Sequence, residues 1–167
     1  MKKSWITRYL GSCFWLWLPP LAISFLLWAQ LPPAFGREIF WKDIPQFIGT
    51  TENALRLVII LLSLLMAFEI KSASQKTGLG LYLLGLVLYA ASQIVLVLAP
   101  ESGWSTSVVG FTAPAYTPLF WLLGISMIGN RLISRQIPWH PAAYFLLSLA
   151  FAGAHTAHAT LVFARNY

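Results

Sequence analysis

Two histidines, His155 and His158, lie three positions apart in AGAHTAHATLVF, a stretch otherwise fit for lipid. On a helix, that spacing puts both imidazoles on one face. Imidazole donates or accepts hydrogen bonds, ligates metals, and changes charge near neutral pH. Three chemistries are therefore open: hydrogen bonding to neighbouring helices, metal ligation, or contact with an anion. A metal calls for three or four ligands. Glu52 is the carboxylate best placed to complete such a set, but Arg56 stands four residues away and competes for it. No third histidine falls on that side, so no metal is assigned. Both histidines on one helix also argue against bis-histidine haem, which needs one imidazole on each face of the ring. No cofactor is implied.

Asn53, Gln93 and Tyr116 are further polar residues of the apolar segments. Counted along their segments, Glu52, Asn53, Arg56, Gln93, Tyr116, His155 and His158 all fall at similar depth near one membrane face. Polar groups in lipid are costly and turn toward a bundle interior or a wet cavity. They are expected to surround one polar pocket that opens outward. Arginine and histidine together suit the phosphate or carboxylate of a lipid head group or of a small anion. A titrating histidine pair would make that binding tighter at lower pH. Several of these also have a structural use, Glu52 pairing with Arg56 and Gln93 as interhelical glue, and Gly153 and Ala157 around the histidines are small residues that permit close helix approach.

No Ser-His-Asp set, Asp-rich metal motif or Cys-His pair is present. A membrane-embedded enzyme acting on a lipid, with histidine as general base, stands as the alternative, and an assembly subunit as a third class. The lone cysteine, Cys13, allows no intramolecular disulfide.

The elements that must position these residues follow from composition. Hydrophobic residues make up 58% of the 167 and charged residues 10%, against about 45–50% and about 25% in soluble domains. The apolar residues come in blocks of about 20, which is bilayer length. The fold class is all-α: one integral membrane domain of five transmembrane helices, at about 11–31, 51–70, 78–99, 114–133 and 141–164. Pro19 and Pro20 are expected to kink the first span. Thr50 or Thr51 is the expected N-cap of the second. The net charge of +6 sits in short loops, where it sets orientation; it is no nucleic-acid footprint. Lys2, Lys3, Arg8, Lys71, Lys76, Arg131 and Arg135 share one side, against Arg37, Lys42 and Arg165 on the other. The N-terminus is expected inside and the C-terminus outside, in a membrane of bacterial cytoplasmic type. The bilayer is the partner implied; no protein partner is legible.

Overall fold

The computed structural model describes residues 10–134 and 136–167. Lys2, Lys3, Trp5, Arg8 and Arg135 lie outside the described residues. Among the described residues the regular structure is helical, with two isolated β-bridges.

Four helices are long and apolar enough to cross a bilayer: α1 (Cys13–Gln30), α3 (Gln46–Leu65), α4 (Ala73–Leu98) and α8 (Pro141–Asn166). Between α1 and α3 run a 3-10 turn, Pro33–Phe35, and one short turn of α-helix, α2 (Arg37–Phe40). Large apolar side chains such as Phe25, Leu26, Val87 and Leu98 are mostly exposed. Water would penalise so much open apolar surface, whereas lipid tolerates it.

The expected fourth span, 114–133, is not one straight helix. It is broken into α5 (Val108–Phe111), α6 (Ala113–Tyr116) and α7 (Pro118–Ile128). Pro114 and Pro118 each fall in the first turn of a new helix, the place where a missing N–H costs nothing. The apolar stretch Ala113–Ile128 extends about 24 Å at 1.5 Å per residue, short of a hydrocarbon core of about 30 Å.

Local chemistry also moves other boundaries. Pro19 and Pro20 sit at the start of the α-helical part of α1, Leu18–Leu27, after a 3-10 turn over Cys13–Trp17. The prolines thus mark a change of helix type. Pro45 precedes α3, which opens at Gln46 rather than at Thr50 or Thr51. Glu52 therefore lies in the second turn, where its surroundings matter more than the helix dipole. The polar run KSASQKTG opens α4 instead of forming a turn. Ser72 Oγ accepts from the Gln75 amide at 3.2 Å and Gln75 Oε1 accepts from the Ser72 amide at 3.0 Å, a reciprocal cap.

The most extensive helix contact is α4 on α7, and glycine sets it. A Cβ on Gly85 would lie 2.3 Å from the Trp121 nitrogen, and one on Gly124 2.5 Å from the Tyr82 nitrogen. Neither backbone can yield without parting the helices. Gly153, the small residue expected to mediate close approach, has open space at its Cβ position.

The two ends of the bundle differ. At one end three segments exchange backbone hydrogen bonds: Cys13 N to Met66 O at 2.9 Å, Ala67 N to Arg131 O at 3.0 Å, and Phe68 N to Gly11 O at 2.8 Å. These pair polar groups that helix termini would otherwise leave unmet. Arg131 and Lys71 pair with Glu69 there, and His140 caps α8 by accepting from the Ala142 amide. At the other end α2 is laid against α8. Arg165 of α8 donates to the Ile39 and Lys42 carbonyls, which fixes the segment leaving α2. Asp43, just beyond, takes a left-handed conformation with φ 52°, one that aspartate accepts more readily than most residues.

Candidate functional site

The end held by Arg165 gathers the ionisable residues of the apolar segments. Glu52 of α3 is fully buried, at 0% exposure, and so is His158 of α8. His158 Nδ1 lies 2.6 Å from Glu52 Oε2, and its Nε2 lies 2.9 Å from the Phe40 carbonyl of α2. Both ring nitrogens are thus engaged, and α2, α3 and α8 are tied at one imidazole. Phe40 and Trp41 pack on the same ring, with centroids 4.4 and 4.6 Å away. His155, one turn earlier, stacks on Phe151 with ring planes 11° apart. Its Nδ1 is 3.1 Å from Glu52 Oε1, yet this buried nitrogen makes no aligned hydrogen bond.

Arg56 reaches Glu52 Oε1 from the next turn of α3, donates to Asn53 Oδ1 at 3.2 Å, and lies over the Phe151 ring. The Glu52–Arg56 pairing expected from the spacing is present, but it does not claim the carboxylate alone. The same carboxylate faces both histidines, and one ligating atom from each of Glu52, His155 and His158 lies within 4.8 Å of the other two.

Two cavities flank this cluster. One, about 470 Å³, is largely apolar, with Phe25, Trp28, Phe35 and Phe111 in its wall and His155, Gln93, Tyr89 and Ser24 as its polar members. Gln93 is 2% exposed and its Nε2 has no partner. The other, about 890 Å³, is a polar cleft between α2 and α3, lined by Arg37, Glu38, Trp41, Lys42, Asn53 and Arg56. His155 belongs to the first cavity and Arg56 to the second, with Glu52 between them.

Of the seven residues expected around one pocket, Glu52, Asn53, Arg56, His155 and His158 form one connected group. Gln93 shares a cavity with His155. Tyr116 stands apart: its hydroxyl donates to the Val109 carbonyl at 3.1 Å and it lines neither cavity. Arg37, Lys42, Phe40 and Trp41 were not expected at the site. The only signal for them was the mixture of charged and aromatic residues in REIFWKD, which suits a headgroup-level segment.

Among its described residues the protein is all-helical, with four helices fit to span a membrane and a buried carboxylate–imidazole cluster near one end. No known protein family, curated protein or solved structure matches it.

Proposed function

We propose that this protein binds an anionic group, the phosphate or carboxylate of a lipid head group, in the cleft between α2 and α3 on the outer face of the membrane. The observation that carries the reading is the cleft itself. Arg37, Lys42 and Arg56 line it with Glu38 as the one opposing charge. Arginine offers a fork of donors matched to phosphate and carboxylate oxygens, and Trp41 in the lining suits headgroup depth. The anion contact thereby falls to Arg37, Lys42 and Arg56, with Asn53 beside them. His158 has no nitrogen to spare, and it positions α2 instead.

The bundle in this reading crosses the bilayer five times. Pro114 and Ala115 share a cavity with His155 at one end, while Gln75, at the opposite end, donates to the Ile128 carbonyl at 3.2 Å. These contacts at opposite ends support counting the broken segment as a crossing, short as it is. Five crossings put the termini on opposite sides. Lys71, Lys76 and Arg131 then mark the inner side, and the cleft and Tyr167 the outer.

Short-chain phosphatidylglycerol, phosphatidylcholine and inorganic phosphate, added separately to the detergent-solubilised protein, test this reading. It predicts thermal stabilisation by phosphatidylglycerol well beyond that by phosphatidylcholine, and loss of the difference in Arg37→Gln/Lys42→Gln. Equal shifts from both lipids would contradict it. A shift from inorganic phosphate alone would identify a free anion as the ligand.

A further inference from the structure

The polar cluster holds an unresolved balance of donors and acceptors. The Phe40 carbonyl can only accept, so His158 Nε2 carries a hydrogen and donates to it. In a neutral ring Nδ1 then bears a lone pair, and it faces a carboxylate oxygen at 2.6 Å. Two acceptors at that distance in a fully buried place repel unless a cation lies between them. A proton on Nδ1 answers for His158 alone. It leaves His155 Nδ1 3.1 Å from the other carboxylate oxygen without an aligned bond. A metal ion answers for both histidines at once.

We propose that Glu52, His155 and His158 ligate a divalent transition metal through one carboxylate and two Nδ1 atoms. Two imidazoles and one carboxylate suit zinc or ferrous iron. Calcium and magnesium want oxygen ligands, and copper(I) wants sulfur. The surroundings fit as well. A metal-bound histidine donates its other N–H to a carbonyl or carboxylate, as His158 does to Phe40, and a ligating carboxylate is itself hydrogen-bonded, as Glu52 is by Arg56. Three protein ligands leave a position open. His155 lines the apolar cavity, which gives the open position a space to face. This inference rests on the cluster alone and does not depend on the cleft's binding an anion.

The test uses the full chain in detergent, stripped with a chelator and then given zinc or cobalt(II) alone. The expected result is one ion per chain by elemental analysis, a raised melting temperature, and a cobalt spectrum with the strong visible bands of low-coordinate nitrogen and oxygen ligation. His155→Ala should lose the ion while eluting as the wild type does, because His155 makes no aligned hydrogen bond that folding needs. His140→Ala should keep it. Wild-type protein that takes up neither ion, or His155→Ala that binds as well as wild type, would overturn the proposal and leave a proton on His158 as the cation. If His155→Ala fails to fold, the wild-type cobalt spectrum decides: that of the fully hydrated ion refutes the site. Arg37→Gln/Lys42→Gln should bind the metal normally, so failure of the lipid reading and failure of the metal reading separate cleanly.

Discussion

Replacing Glu52 with leucine should be one of the most damaging single changes in the protein. The carboxylate has 0% exposure and faces His155, His158 and Arg56 at once. Leucine fills a similar volume but accepts nothing, so the loss is electrostatic rather than a cavity. Breaking a buried ion pair from one side costs about 3–5 kcal/mol. For a chain of this length each kcal/mol moves the melting temperature by about 2–4 °C, so the expected drop is about 6–20 °C. Glu52→Gln should lose much less, because an amide can donate to one imidazole nitrogen while its oxygen still accepts from Arg56. Arg56→Met should be milder again. Arg56 is 38% exposed on its side chain, and a partly solvated pair contributes about 0–1 kcal/mol. The assay is thermal unfolding in detergent with chelator present, followed by circular dichroism. A Glu52→Leu protein melting within about 3 °C of wild type, or an Arg56→Met protein less stable than Glu52→Leu, would refute the reasoning.

Other expectations rest on separate parts of the molecule. Gly85→Ala should weaken the α4–α7 contact and lower the melting temperature by several degrees, since its Cβ meets backbone at 2.3 Å; Gly80→Ala, with open space there, should be neutral or stabilise by about 0.5–1 kcal/mol. The Arg131 guanidinium, joined by Lys71, holds the Glu69 carboxyl below the usual carboxylate range. That stability is present above the unfolded value of about 4.3 and is lost as pH falls through the folded one. Wild type should therefore outlast Glu69→Gln at neutral pH, and the gap in melting temperature should close in acid. Arg165→Met removes the donors to Ile39 and Lys42, so hydrogen exchange across residues 37–43 should speed up while α4 stays protected; unchanged exchange there would show that Arg165 does not hold the segment. A reporter fused after Tyr167 should be active only outside the cytoplasm, and cytoplasmic activity would invert the orientation.

How far each feature was legible depends on the range of the interaction behind it. Helical, membrane-spanning character is written into composition and block length, and it needs no partner to be read. The pairing of Glu52 with Arg56 is local, four residues on one helix, so spacing alone foretells it. His155 and His158 announce themselves by standing in an apolar helix. What spacing does not supply is the partner across the bundle. The Phe40 carbonyl on His158 is 118 residues away in sequence, and a backbone acceptor leaves no mark in residue type. Arg37 and Lys42 read as loop charges until α2 folds back over the site and Arg165 pins it. The broken fourth segment was foreshadowed by Pro114 and Pro118, yet hydropathy alone made it a span. Gly85 and Gly124 were illegible for the opposite reason: glycine is common in membrane helices, and only the partner's position separates the close approaches from Gly153, which meets nothing.

The central claim is that the cleft of Arg37, Lys42 and Arg56 selects an anionic head group. Native mass spectrometry of the full chain, equilibrated with equal amounts of phosphatidylglycerol and phosphatidylcholine of matched acyl chains, measures that selection directly. The account predicts that the last lipid retained on each chain is phosphatidylglycerol, and that Arg37→Gln/Lys42→Gln retains the two lipids without preference. Equal retention by the wild type, or an undiminished preference in the double variant, would contradict it.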